Sequence, residues 1–222
     1  MTAGFFLKKW SAIVLLGILV FSCVLYAGIL RVAKRVYIGK NFYFLVHETE
    51  HVEADALDIR LDGGAGYPLH GEGVALAVYL KEEDGLAVQA GLIEQGEKTS
   101  LVKRSVECLY FKTRLDKEKA SLYTGALEGL YGFLQVLSEE ISRLDKGTTQ
   151  QSCRRVLQTL ADLFSYHRQE YESVYPAYAR LCGAAKEGLS SCMDGTIFVN
   201  DLRYMLCDLS VGYLSLAEEF IL

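Results

Sequence analysis

The chain has 222 residues, 51% of them hydrophobic and 23% charged, with six cysteines and a formal net charge of −5. Six of the 23 Lys/Arg and none of the 28 Asp/Glu fall in the first 40 residues, so residues 41–222 carry 17 bases against 28 acids, a formal −11. A surface of that sign repels polyanions, which argues against nucleic acid as a partner and against wide contact with anionic lipid headgroups.

Residues 10–30 read WSAIVLLGILVFSCVLYAGIL, 21 positions without a charge, fenced by Lys8 and Lys9 before and by Arg31, Lys34 and Arg35 after. As a helix the run covers about 30 Å, the thickness of a bilayer's hydrocarbon core. Trp10, Leu15, Leu16, Phe21 and Leu30 are representative of an uncleaved anchor. The stretch is longer than a signal peptide's apolar region and closes without a small-residue cleavage site. Lipidation at Cys23 lacks the small-residue box upstream. Residues 1–9 are then a short cytoplasmic tail, and residues 31–41 a basic, aromatic juxtamembrane connector. Basic residues flank the anchor on both sides; counted alone they hold the carboxyl side in the cytoplasm, but large domains translocate largely regardless of such counts.

Beyond the connector, residues 42–46 (FYFLV) form a continuous apolar run of strand length. Residues 49–61 place Val52, Ala56 and Ile59 at helical spacing among acids, and Gly63, Gly64 and Gly66 stop them. Residues 67–69 are a short extended candidate, 70–73 a glycine-flanked turn, and 74–80 (VALAVYL) a second strand-like run. Residues 81–94 return to helical spacing through Leu86, Ala90 and Ile93, and residues 100–112 supply a last β-compatible stretch. From Asp116 the pattern is helical. One stripe runs from Leu122 to Leu144 and ends at Lys146-Gly147, with Thr148 or Thr149 as the next cap; a second runs through Cys153, Leu157, Leu160, Phe164, His167 and Tyr171, and Pro176 should end or kink it. Residues 178–189 continue helically, and Gly195 with Asn200 or Asp201 opens a final helix. The expected product is an antiparallel bundle of three long helices or four short ones.

Over about residues 41–104 the chain resembles the SPOR (sporulation-related repeat) family. The likeness rests on the strand Tyr43-Phe44-Leu45-Val46, the acidic, alanine-rich helix after it, the Gly63-Gly64-Ala65-Gly66-Tyr67 turn, the strand of residues 74–80 and the helix start Lys81-Glu82-Glu83-Asp84. It implies a ferredoxin-like βαββαβ domain that binds peptidoglycan glycan strands stripped of stem peptides, held outside a bacterial membrane by one anchor. The glycan-contacting residues it implies are Tyr43, Phe44, Tyr67 and Tyr79. Family members that bind glycan present glutamine or arginine on the exposed sheet face, whereas these strands offer only tyrosine hydroxyls as side-chain donors. Sugar recognition needs polar partners as well as an aromatic platform. So apolar a sheet face reads as one that is covered, by the helical region or by a partner.

His47-Glu48-Thr49-Glu50-His51 satisfies the letter of HExxH, in which two histidines one helical turn apart hold zinc beside a glutamate base. Here His47 closes a strand-like run, Glu50 puts a charge where such helices are buried, and no third ligand follows at a familiar spacing, so His47, Glu48 and His51 are weak metal candidates. Cys108, Cys153, Cys182, Cys192 and Cys207 form no CxxC pair or Cys/His ligand set and read as small buried side chains. In an oxidising compartment the last four could still pair. Glu82, Glu83 and Asp84 suit a helix start, and the glycine turn lacks the lysine of a phosphate loop. His167 and the tyrosines Tyr166, Tyr171, Tyr175 and Tyr178 read as core and rim packing.

The expected fold class is α+β: a transmembrane helix, a SPOR-like domain over residues 42–112 and a helical bundle over residues 116–222. The expected role is non-catalytic and needs no cofactor: peptidoglycan binding in cell division or sporulation. The alternative is a membrane-tethered scaffold whose bundle binds another envelope protein, and the zinc hydrolase is the weakest reading. Partners are then the lipid bilayer through residues 10–30, peptidoglycan or an envelope protein, and no nucleic acid.

Overall fold

The structure is a computed structural model, and it describes residues 35–106, 108–110 and 117–218. The tail, the anchor with Trp10, Leu15, Leu16, Phe21 and Leu30, Cys23, and the connector up to Lys34 lie outside the described residues. Among the described residues no helix is long and apolar enough to cross a membrane.

The chain is α+β. Four strands, β2 (Asn41–His47), β3 (Tyr67–Leu69), β4 (Gly73–Tyr79) and β5 (Thr99–Ser105), form one antiparallel sheet in the order β3-β4-β2-β5. Helix α1 (Val52–Leu61) joins β2 to β3, and helix α2 (Glu82–Glu94) joins β4 to β5. The helix expected from residue 49 starts three residues later because Thr49 is engaged elsewhere: its hydroxyl accepts from the His51 backbone N–H at 2.9 Å and bonds the Asp55 carboxylate. Gly63 and Gly66, at φ 91° and 58°, turn the chain from α1 into β3.

Two strands were not expected. β1 (Arg35–Ile38) falls in the segment read as a connector, and β6 (Cys108–Tyr110) is split from β5, so residues 100–112 are not one strand. The two pair with each other. Ile38 faces Cys108 and Asn41 faces Ser105, so the β1–β6 ribbon continues the β2–β5 register past a break at Gly39 and Val106. There the chains cross so closely that a β-carbon on residue 39 would lie 1.4 Å from the Val106 carbonyl oxygen. Glycine at 39 is what lets the ladder cross this point, and buried Val106 plugs it from the other strand.

Four helices follow: α3 (Lys117–Asp145), α4 (Gln150–Tyr171), α5 (Pro176–Cys192) and α6 (Val199–Glu218). The Thr149 side chain caps α4 by accepting from the Ser152 N–H. Proline 176 takes the first turn of a new helix, where its missing N–H costs nothing. Leu127, Leu130, Leu134 and Leu137 of α3, Leu157 and Phe164 of α4, Tyr178 and Leu189 of α5, and Leu202 and Tyr213 of α6 are all fully buried.

Alternation along β2 sends its side chains to two different layers. Phe42 meets Tyr131 of α3 and Tyr213 of α6, with ring centroids 6.2 and 5.2 Å apart, and Phe42, Phe44 and Val46 join the buried cluster of the bundle. Tyr43 and Leu45 point the other way, toward α1 and α2. An extra residue in β4 keeps both faces in step: Leu45 pairs with Ala77 but Val46 with Ala75, so Leu76 is bulged. The regions expected as separate domains thus share one continuous core of sheet and bundle. An unbroken apolar strand is the consequence of covering both faces.

Candidate functional site

The residues implied as a glycan platform are not brought together. Phe44 and Tyr67 face the bundle, Phe44 fully buried, while Tyr43 and Tyr79 face the α1/α2 layer, Tyr43 being buried too. Tyr67 lies against the Tyr204 ring, 5.1 Å between centroids, and its hydroxyl donates to Asp208 at 3.2 Å. Burial first, then the Asp208 carboxylate, pushes its pKa far up and keeps it protonated. Burial likewise raises Tyr79. As a joint aromatic surface for sugar rings the four are therefore corrected by their placement on opposite faces of a sheet covered on both.

The HExxH letters do not share a helix. His47 is the last residue of β2 and His51 the residue before α1, so the one-turn spacing that aims two imidazoles at one ion is missing. His47 Nδ1 instead lies 4.0 Å from the Glu97 carboxylate. Among the described residues no group of three or more His, Cys, Asp or Glu is placed to hold a metal ion.

Within the bundle, His167 and the tyrosines pack as a stack. His167 Nδ1 is 2.7 Å from the Tyr178 hydroxyl, and the imidazole lies 5.7 Å from the Tyr171 ring and 4.9 Å from Phe133. Burial lowers the His167 pKa, so the neutral ring can accept the Tyr178 proton. Burial pushes the Cys182 thiol up to about 12, and Cys153 up to about 11. Cys153, Cys182, Cys192 and Cys207 are unpaired thiols. Raised thiol pKa values describe protonated, unreactive thiols, and the lowered imidazole pKa a neutral ring. Tyr166 alone of the four tyrosines is exposed.

A polar clamp joins the turn after α1 to α6. Arg60 contacts Asp201 at 2.6 Å and stacks over the Tyr204 ring, Asn200 Nδ2 donates to the Arg60 carbonyl at 2.8 Å, and Arg203 reaches the Gly63 carbonyl at 2.6 Å and Asp145 at 2.7 Å. Asn200 and Asp201 were expected to open α6; they sit in its first turns and serve this junction instead. No local pattern announces a pair 141 residues apart.

One open groove lies on the other side of the sheet. Between α1 and α2, over β2 and β4, is a groove of about 440 Å³, floored by Leu45, Leu76 and Ala77, walled by Ile59, Val88 and Leu92, and edged by Asp62, Glu97 and Arg203. The two helices sit loosely: α1 buries no residue and α2 only Gly85, where a β-carbon would meet Leu101 at 2.8 Å. Leu57, Leu61, Leu86, Val88 and Ile93 stand exposed on this layer, with Leu61 at 76%. Of these five only Val88 lines the groove, beside the half-buried Ile59 and Leu92; the others stand on the outer faces of the two helices, where single apolar side chains need no explanation. Sequence spacing does not reveal the groove: the helical spacing of residues 81–94 runs through Leu86, Ala90 and Ile93, whereas Val88 and Leu92 line it.

Compared with protein-family models, with curated proteins and with solved structures, the chain finds no match in any of the three.

Proposed function

We propose that this is a membrane-tethered, non-catalytic scaffold of the cell envelope, anchored by residues 10–30 and built on a SPOR-like unit that no longer presents its sheet to glycan. The βαββαβ order and the strand sequence β3-β4-β2-β5 suit a ferredoxin-like unit and so support the SPOR-like reading. One observation carries the choice of scaffold over wall binding. The sheet face opposite α1 and α2, through Phe42, Phe44, Val46, Ala75 and Val78, is part of the bundle's core. A sugar chain needs an accessible platform with donors and acceptors, and that face has neither.

Cosedimentation of the full chain, in detergent, with purified sacculi tests the choice. The expected result is no enrichment in the pellet, whether or not stem peptides have been removed by an amidase. Binding that rises after amidase treatment overturns the scaffold reading and restores the glycan one. A reporter fused after Leu222 tests the side of the membrane: activity in the cytoplasm removes any role among envelope partners outside the cell.

A further inference from the structure

The acidity of the chain is gathered in one place. Residues 48–97, which run from α1 through β3 and β4 to the end of α2 and the turn after it, contain 12 Asp/Glu and only two bases, Arg60 and Lys81, a net −10 out of the −11 of residues 41–222, and all but Glu72 of those acids lie on or beside α1 and α2. Arg60 is already held by Asp201, and Arg203 at the groove's end by Asp145, so these two cations are committed within the fold. Asp62 and Glu97 lie on the groove lining itself, and Asp55 and Asp58 follow on α1. An apolar trough with acidic flanks has a defined complement, a helix apolar on one side and rich in Lys or Arg on the other.

From this we propose that the α1/α2 groove is the docking site for a basic amphipathic helix of a partner protein. The docked helix lays its apolar stripe on Ile59, Val88 and Leu92, over the sheet floor, and its cations along Asp55, Asp58, Asp62 and Glu97. The helices that wall the groove, α1 and α2, are 10 and 13 residues long, roughly 15 and 20 Å. A docked segment of about three to four helical turns matches that length. Anionic membrane surfaces do not fit, since the acids beside Leu57 and Leu61 would face like charge. The inference deepens the scaffold reading, on which it rests, by naming the chemistry of what the scaffold holds.

The test uses the full chain in nanodiscs of zwitterionic lipid and a fluorescent 18-residue Leu/Lys amphipathic peptide, with a Leu/Glu peptide of the same apolar pattern as comparison. The Leu/Lys peptide should bind at micromolar concentration in low salt, at least tenfold more tightly than the Leu/Glu peptide, and tenfold more weakly in 0.5 M salt. Val88→Lys, at a position 41% exposed, should weaken it at least tenfold. Asp58→Lys with Asp62→Lys, both surface changes, should do the same while thermal unfolding stays as in the parent chain. Equal binding of the two peptides, or binding that all three substitutions leave unchanged, overturns the proposal. So does peptide-free dimerisation of the chain that Val88→Lys abolishes, because a second copy then owns the groove. A chain that binds sacculi and also the peptide refutes the scaffold reading but not the groove; one that binds neither refutes the groove alone.

Discussion

Replacing Phe42 by alanine tests the statement that sheet and bundle share one core. The side chain is fully buried, belongs to the central strand, and touches the rings of Tyr131 on α3 and Tyr213 on α6. Truncating a buried phenylalanine costs about 3–5 kcal/mol, of which each aromatic pair accounts for roughly 0.5–1.5 kcal/mol beyond area burial. Tyr131 and Tyr213 lie on separate helices and cannot both close the void, so the upper half of that range is expected, about 4 kcal/mol. For a domain of this size that lowers Tm by roughly 8–16 °C. Leu57→Ala, on the outside of α1 at 62% exposure, should cost under about 0.5 kcal/mol and serves as the comparison. Denaturant unfolding followed by far-UV circular dichroism, and separately by tyrosine fluorescence, reads both magnitude and cooperativity. Coincident transitions shifted together are expected. If Phe42→Ala leaves a bundle transition in place and moves only a smaller sheet transition, the two regions are independent and the reasoning fails.

Gly39→Ala should cost more than about 2 kcal/mol, because its β-carbon would occupy the Val106 carbonyl position and the strands cannot separate there without losing the ladder. Hydrogen exchange at the amides of β1 and β6 should rise at least tenfold, and unchanged protection would refute the crossing. Stability should also fall on acidification through His167. Burial holds its folded pKa below the ordinary value of 6.5, so the unfolded chain binds the proton first, and stability present above pH 6.5 is lost as pH drops toward the folded pKa. Urea titrations between pH 7.5 and 5 should show this loss, smaller in His167→Gln; equal slopes in both proteins would remove His167 as the cause.

Much of the architecture was legible in sequence because the signals were local. Residues 42–46 and 74–80 are apolar without interruption, which only strands covered on both faces tolerate, and Gly63 to Gly66 punctuate the turn between α1 and β3. Thr149 and Pro176 mark helix starts by hydrogen-bonding chemistry that acts over three or four residues. What could not be read was pairing across distance. β1 resembles a basic connector because only β6, some 70 residues on, makes it a strand. Arg60 gains its meaning from Asp201, and Phe44 loses a role in binding because α3 and α6 return to cover it. Continuous apolarity says that a strand is enclosed, and says nothing of what encloses it.

That distinction decides where a partner can act. A two-layer unit of sheet and two helices has one free sheet face, and here that face is buried against the bundle through Phe42, Phe44, Val46, Ala75 and Val78. The helices α1 and α2 were left as the outermost layer, yet they keep leucines, isoleucine and valine that the fold does not need for its own core. Beside a concentrated negative charge, an apolar groove lined by Ile59, Val88 and Leu92 suits a partner helix that is apolar on one side and basic on the other. The acids then serve two ends: they keep the uncovered patch from self-association by like-charge repulsion, and they choose which apolar helix is admitted. On that argument the groove's specificity resides in Asp58, Asp62 and Glu97 more than in its leucines, and charge reversal should change the identity of the bound peptide, while enlarging the apolar floor should change only its affinity.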